Sequence, residues 1–311
     1  MRILFVTLGE SIHVARWIKQ LEGQDWDIHV FTDSAYDGVH PELENVTVHT
    51  LVQRPKEYIS ATVRQTGLSW PLPRGRRKAT ALIQNFDRFK QPARLARLIH
   101  SLRPDVIHSL EMQRCGYLTL RSRKQLNGQQ LPPWIYSSWG SDIFFFGRRS
   151  DYFIADCQRD VQLARDFDLR GEVLGVFPVS GGFDLQQMKQ FGSGIPVADR
   201  KVIAIKGYQS EEWGGRALNA LEALRMIAAQ LKGFEVVVYS ATQDVRQHAE
   251  NLAQDTGIML SVLPHSHSHE IVKLMGRARI AIGIGLADGT PVAMLEAMIM
   301  GAFPIQSDTV S

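Results

Sequence analysis

Asp288 and Glu296 stand eight residues apart in the stretch Leu286-Ala-Asp-Gly-Thr-Pro-Val-Ala-Met-Leu-Glu-Ala-Met-Ile-Met-Gly-Ala-Phe-Pro304, which is otherwise almost wholly apolar. An ionised carboxylate is costly to bury unless something hydrogen-bonds to it, so each acid must hold a partner. Thr290 reads as a helix N-cap and Pro291 as the first helical residue, where a missing N–H costs nothing. Gly301 then reads as the left-handed stop. Free N–H groups near Val292 and Ala293 would point out of the helix start, a ready site for a phosphate. Glu296, about a turn and a half further on, has the apolar same-face neighbours Val292, Ala293, Ile299 and Met300. Its two acceptor oxygens suit the vicinal diol of a ribose. Asp288 and Gly289, ahead of the helix, would face whatever is attached to the distal phosphate. The chemistry suggested is recognition of a nucleoside diphosphate carrying a hydroxyl-rich group. The spacing also fits a plainer arrangement, in which Glu296 pairs with a structural cation and Asp288 shapes a turn.

Elements that would position these groups are legible upstream. Apolar strand-length runs at Ile3–Val6, Ile28–Phe31, Asp105–His108, Trp134–Ser137 and Tyr152–Ala155 alternate with helical patterns through Val14, Ile18 and Leu21 and around Leu95–Leu102. After a turn-rich break the rhythm restarts, with strands expected at Val202–Ile205, Glu235–Tyr239, Ile258–Leu263, Arg279–Gly283 and Phe303–Ile305. Helices are expected at Ala217–Leu231, Val245–Thr256, Glu270–Gly276 and Pro291–Met300. Alternation of this kind makes a parallel sheet with helices on both faces. The predicted organisation is α/β, with two Rossmann-like doubly wound domains facing one another across a cleft: 1–178, a linker over 179–200, and 201–311. Sheets of this type bind ligands beyond the carboxyl ends of their strands.

The Asp288–Asp308 stretch resembles the E-x7-E signature of retaining GT-B glycosyltransferases of family 4, with Asp288 in place of the first Glu and Glu296-Ala-Met and Gly301 kept. Met1–Gly9 is similar to that family's opening strand and glycine loop. Pro104-Asp-Val-Ile-His108 resembles its "PDVVH" strand, Trp139-Gly-Ser-Asp142 its "HGSD" element, Phe177–Asp184 its interdomain "IPNGVD", and Ala278–Ile282 its "ADVFV". The resemblance spans nearly the whole chain and implies a GT-B fold. It further implies transfer of a glycosyl group, with retention, from a nucleotide diphosphate sugar to an acceptor hydroxyl, as in cell-surface glycan or lipopolysaccharide biosynthesis. By that analogy Glu296 binds the donor ribose, and Asp288 contacts the sugar. The N–H groups of Val292 and Ala293, with Gly289 and Thr290 beside them, meet the diphosphate, as does Gly9 of the first domain. Ser240 and His265 lie against the base. No cofactor or metal is implied, because helix ends and cations can stabilise the leaving diphosphate. Departures are specific. The usual Arg/Lys pair opening the second domain gives way to Tyr208 and Gly214, flanked by Lys206 and Arg216, which would compensate or be surface cations. Trp139 replaces the His of "HGSD"; His108 then becomes a candidate to face the sugar, or a hydrogen-bonded structural histidine. His13 and Asp142 are acceptor-side candidates. The family pattern also continues past Ser311, so the C-terminal domain reads as incomplete.

Composition narrows the remaining classes. The 311 residues carry a formal net charge of +3, and the two cysteines, Cys115 and Cys157, lack disulfide or metal spacing and read as buried thiols. Neither Asp25-Trp-Asp27 nor Asp166-Phe-Asp168 reads as a metal site; both fall at element boundaries. His265-Ser-His-Ser-His269 precedes a helix with Ser268 as its N-cap, and suits a base-contacting or solvated loop better than a metal. Trp70-Pro-Leu-Pro-Arg-Gly-Arg-Arg-Lys78 offers Arg74, Arg76, Arg77 and Lys78 to an anionic acceptor or the cytoplasmic face of a membrane, or is a solvated loop. The expectation is a cytoplasmic enzyme acting on a glycan or lipid-linked acceptor, without nucleic acid. Two alternatives remain: a GT-B-like epimerase of nucleotide sugars, and a non-catalytic nucleotide-sugar-binding module. A nicotinamide dehydrogenase is disfavoured, since no G-x-G-x-x-G follows the first strand.

Overall fold

A computed structural model describes residues 1–33, 38–69, 75–83, 85–126, 131–139, 150–178, 180–211, 214–286 and 288–308. The chain divides into two compact units, Met1–Gly182 and Phe183–Ser311.

In the amino-terminal unit the elements run β1 (Arg2–Thr7), α1 (Ile12–Lys19), β2 (Asp27–Thr32), β3 (Thr47–Val52), β4 (Arg64–Leu68), α2 (Arg76–Ile83), α3 (Gln91–Leu102), β5 (Val106–Leu110), α4 (Tyr117–Gln125), β6 (Trp134–Ser137), β7 (Tyr152–Ala155), α5 (Gln158–Asp166) and β8 (Glu172–Val176). The strands form one eight-stranded sheet in the order β4-β3-β2-β1-β5-β6-β7-β8, every pairing parallel. Alternation along β1 shows why the run is apolar on both sides. Ile3 and Phe5 pack with Val14, Ala15 and Ile18 of α1, whereas Leu4 and Val6 pack with Leu95, Ala96 and Ile99 of α3. Successive strand residues point to opposite faces, and here both faces are covered.

The carboxy-terminal unit repeats the plan: α6 (Leu185–Lys189), β9 (Val202–Lys206), α7 (Ala217–Met226), β10 (Glu235–Tyr239), α8 (Gln243–Thr256), β11 (Met259–Val262), α9 (Ser268–Arg277), β12 (Ala278–Gly283), α10 (Val292–Ile299) and β13 (Phe303–Gln306). Its five strands are ordered β11-β10-β9-β12-β13 and are all parallel. Val202 and Ala204 face α9 and α10 through Val272, Met275 and Ala297; Ile203 and Ile205 face α7 and α8 through Leu221 and Leu252.

Four expectations need correction. Thr290 is not the cap of α10. Pro291 is extended at ψ 118°, and its carbonyl already accepts the Met294 and Leu295 N–H groups, so the helix starts one residue later. Likewise His267, not Ser268, caps α9, its carbonyl accepting from Glu270 and Ile271. The expected helix over 217–231 stops at Met226, and a 3-10 turn over Ala228–Leu231 returns Leu231 to the core. Residues 183–200 are no free linker, because Phe183, Met188 and Phe191 pack into the core of the carboxy-terminal unit. Gly301, at φ +82° just past α10, does occupy the left-handed position expected of it.

Candidate functional site

The order of the five-stranded sheet reverses at β9, whose neighbours β10 and β12 lie on either side. A crevice beyond the carboxyl ends of strands is where such sheets take ligands, and a pocket opens there. Lys206 from the end of β9, Tyr239 from the end of β10, Asp288 and Pro291 ahead of α10, Ala293 and Met294 in its first turn, and Gln306 from β13 line about 610 Å³ of empty space that opens to solvent.

The pocket's wall is held by an unexpected backbone pairing. After β9 the chain loops out and returns, and Gly215 bridges antiparallel to Gly285. Arg216 N–H donates to the Ile284 carbonyl at 3.0 Å and Leu286 N–H to that of Gly214 at 2.9 Å. A Cβ at Gly285 would sit 3.2 Å from Asp288 Oδ2, so a side chain there would push the carboxylate aside by a few tenths of an ångström. Ser307 adds a clasp, accepting the Gly285 N–H at 2.9 Å and donating to its carbonyl. Asp288 is thereby folded over the backbone at the pocket's edge, half-buried.

Glu296 is buried, 8% exposed, and is not among the side chains that line the pocket. Its charge and burial together hold the Tyr239 phenol above its ordinary range, burial being the larger cause. Tyr239, which does line the pocket, is the link between the two. At the leading end of α10, the Met294 and Leu295 N–H groups turn back to Pro291, while those of Val292 and Ala293 have no intrahelical acceptor. Thr290 and Gly289 lie in the loop just ahead.

The other predicted residues fall elsewhere. Arg216 directs Nη1 to the Ser210 and Gly215 carbonyls, at 2.8 and 2.9 Å; it braces the loop and does not line the pocket. Ser240 sits exposed at φ +52° after β10. His265 is exposed, and His267 stacks on His269 with ring centroids 5.8 Å apart. Among the described residues no group of three or more His, Cys, Asp or Glu side chains is arranged to hold a metal ion.

Gly9, His13 and His108 belong to the amino-terminal unit. Gly9 is dictated by packing, since a Cβ would meet the Gly38 carbonyl at 2.5 Å; its own carbonyl accepts from His40 N–H at 2.7 Å. His13 follows the cap of α1, its N–H on Ser11 Oγ, and its ring meets Trp139 edge-on at 6.0 Å. His108 is buried, bonded through Nε2 to Ser137 Oγ at 2.7 Å and packed on Phe5 and Trp17. Burial pulls its pKa down to about 3, so the imidazole is neutral. Cys115 and Cys157 are free, buried thiols, both held above the usual thiol range mainly by burial. Asp142 and Arg74 lie outside the described residues.

Sequence reasoning missed three site features. Tyr239 ends an apolar strand and reads as core. The Gly215–Gly285 pairing joins residues 70 apart, which no local pattern carries. In the amino-terminal unit, beside the switch point of its own sheet, Glu111 follows β5 at φ +78° and accepts the N–H groups of Arg114 and Cys115. Such a backbone is strained for any residue but glycine. Burial, the larger effect, raises the Glu111 pKa despite those bonds. Nearby Asp33 ties Arg114 Nε at 2.6 Å.

Comparison with known proteins places these features in a family. The profile described as "Glycosyl transferase 4-like" matches residues 2–68 and 76–165. No curated protein matches the chain in sequence. Among solved structures, sucrose-phosphate synthase from Thermosynechococcus elongatus superposes with a TM-score of 0.65 at 13% identity, over 99% of this chain and 81% of that one. The apo form of the lipopolysaccharide outer core galactosyltransferase WaaB gives 0.60 at 13%, over 100% and 82%. UDP-GlcNAc 2-epimerase from Neisseria meningitidis, bound to UDP-GlcNAc, gives 0.53 at 14%, over 91% and 77%. At these identities the likeness speaks for the fold. The profile match covers half of the chain, and with the paired parallel sheets it makes this protein a member of the glycosyl transferase 4-like family with a GT-B fold.

Proposed function

We propose that the chain is a retaining glycosyltransferase that moves a sugar from a nucleotide diphosphate sugar to an acceptor hydroxyl, in the biosynthesis of a cell-surface glycan or lipopolysaccharide. One observation carries the reading: a pocket at the switch point of the carboxy-terminal sheet gathers Lys206, Tyr239, Asp288 and the start of α10, and the charge of buried Glu296 is felt at Tyr239. In this reading the start of α10 and Lys206 meet the diphosphate, and their positive ends oppose the charge that develops on it as the glycosidic bond breaks. Glu296 takes the ribose diol and Asp288 the sugar hydroxyls. Neither role calls for a metal ion. Asp142 and His13 are proposed on the acceptor side, and the enzyme is proposed to work in the cytoplasm.

The test is a thermal-shift panel of UDP-, GDP- and ADP-sugars with the corresponding plain diphosphates. The parent protein is expected to respond to one base. Glu296→Ala should abolish that response; an undiminished shift removes Glu296 from the site. Asp288→Asn should keep the shift with plain diphosphate and lose discrimination among sugars. Equal loss of both contradicts its assignment to the sugar.

A second reading has support from the fold likeness to an epimerase bound to UDP-GlcNAc: action on the nucleotide sugar without an acceptor. Incubation with donor alone separates the two. Release or epimerisation of the sugar in the absence of any acceptor favours this second reading over transfer.

A further inference from the structure

A second cavity, larger than the pocket of the carboxy-terminal unit, opens in the amino-terminal unit where α1 ends and β2 and β3 begin. It holds about 970 Å³ of empty space open to solvent, within the range of small-molecule sites. In a sheet whose strands are all parallel, the starts of β2 and β3 lie at the end opposite the carboxyl ends. The cavity is therefore apart from the side on which such sheets take their ligands.

Its floor is apolar because it is the outer edge of a core. Ala15, Ile18 and Ile28 are buried there, and Leu21 and Trp26 pack against that core while keeping part of their surface on the cavity. The rim is acidic. Glu22 and Asp25 come from the turns between α1 and β2, and Glu42 and Glu44 from the segment ahead of β3, against a single lining cation, Lys19. Glu42 has His40 within electrostatic reach. Glu22, Asp25 and Glu44 form no ion pair among the described residues. Carboxylates gathered without cations repel one another, and apolar surface facing water is unfavourable. A ligand with an apolar body and a positive charge relieves both.

Other occupants fit poorly. Among the described residues no group of three or more His, Cys, Asp or Glu side chains could hold a metal ion, so the four acids do not converge on one point. Phosphate-bearing ligands and nucleic acid meet the wrong sign. A bilayer is no better a cover: among the described residues no helix is long and apolar enough to cross one, and the rim repels anionic headgroups.

We propose that this cavity binds a small organic cation. Its apolar body lies on Ile18, Leu21 and Trp26, and its ammonium or guanidinium group sits among the carboxylates of the rim. An indole in the wall adds attraction where the charge meets its face. The inference does not rest on the transferase reading.

Calorimetry of the full chain with phenethylamine, phenethyl alcohol and phenylacetate tests it, three probes of one size that are cationic, neutral and anionic at neutral pH. Only the amine is expected to bind, and more weakly as salt is added. Ethylamine, which keeps the charge and lacks the ring, should not register. Each carboxylate removed should weaken binding by about two- to fivefold, so Glu22→Gln, Glu42→Gln and Glu44→Gln together should cost about tenfold to a hundredfold. These side chains are exposed, and far-ultraviolet circular dichroism checks that the triple variant is folded; if it is not, Glu44→Gln alone replaces it. Asp288→Asn, in the other pocket, should leave the affinity for the amine unchanged. The alcohol or ethylamine binding as tightly as phenethylamine, an undiminished affinity in the rim variant, a loss caused by Asp288→Asn, or no binding of the amine at millimolar concentration would overturn the proposal.

Discussion

Residues singled out for their chemistry divide by what surrounds them, and the histidines show it most clearly. His108 resembles a family element and stands at a strand end, yet it is buried against Phe5 and Trp17 and bonded to Ser137. A second pair escaped the sequence reading. His29 Nδ1 lies 2.9 Å from His49 Nε2, His29 faces Asp27 at 3.0 Å, and His49 Nδ1 meets Thr66 Oγ1 at 2.9 Å. A chain of contacts thus runs from Arg2, which grips Asp27, across β1 to β4. Burial, with the charges of His29 and Arg94 behind it, lowers the His49 pKa to about 4. The sign follows from proton counts. Between the unfolded value near 6.5 and the depressed folded values of His49 and His108, only the unfolded chain takes up the proton, so stability falls as pH falls. From pH 7.5 to 5.5, above the ordinary range of carboxylates, each histidine should remove about 1 kcal/mol. Glu111, raised by burial, acts in the opposite sense where it protonates in the folded chain, so variants are compared: His49→Asn should flatten the fall of the urea midpoint with pH, and a slope unchanged from the parent would mean that its imidazole is not held neutral.

Single elements owe their ends to residues that carry no motif. Arg200, 8% exposed, sits in the segment expected to be a linker. Its guanidinium donates Nη1 to the Ala278 and Met300 carbonyls at 3.1 and 2.9 Å and Nε to that of Ile195 at 3.0 Å. Ala278 and Met300 are the C-caps of α9 and α10, so one side chain closes both helices that frame the lower face of the sheet. A cation at two helix C-termini answers orphan carbonyls and both dipoles together. Arg200→Met keeps the stem and strands three acceptors, and should cost about 2–4 kcal/mol. Arg200→Lys should recover only part, since a point charge cannot fork. Denaturant titration reads both; a methionine variant as stable as the parent would reduce Arg200 to packing. Helix α10 itself was legible from Pro291 and Gly301, because proline and glycine act through backbone geometry alone. The one-residue error at its start arose because proline's own carbonyl, not the Thr290 hydroxyl, closes the first turn. β3, β4 and β8 were not among the expected strands: β3 is broken by Thr47, His49 and Thr50, and β4 and β8 are sheet edges, half-polar in sequence and largely exposed.

For the whole molecule, the alternation of strands and helices was enough to give two parallel-sheet units, because central strands such as β1 and β9 are buried on both faces and read as apolar runs. The boundary between units was less legible. Turn-forming residues at Pro178–Asp184 and Gly192–Pro196 suggested a linker extending to residue 200, but a turn-rich sequence says nothing about where its apolar residues go. Met188 is 6% exposed, and Phe183 and Phe191 pack beside it in the core formed by α9, α10 and β9. Ser193 Oγ donates to the Gly276 carbonyl at 2.7 Å, and Arg200 adds the bonds already described. The carboxy-terminal unit therefore begins at Phe183, and every residue lining its pocket lies within it. Stripping a buried Met from a core costs about 2–5 kcal/mol, half-buried Phe183 and Phe191 add to that, and a typical total stability is about 5–15 kcal/mol. A fragment comprising residues 183–311 should unfold cooperatively, whereas one comprising 201–311 should not. Calorimetry of the two fragments decides it: equal cooperativity would return residues 183–200 to the status of a tether. Under the proposed donor reading, the longer fragment should also keep a thermal response to nucleoside diphosphate, because Lys206, the start of α10 and Glu296 all lie within it.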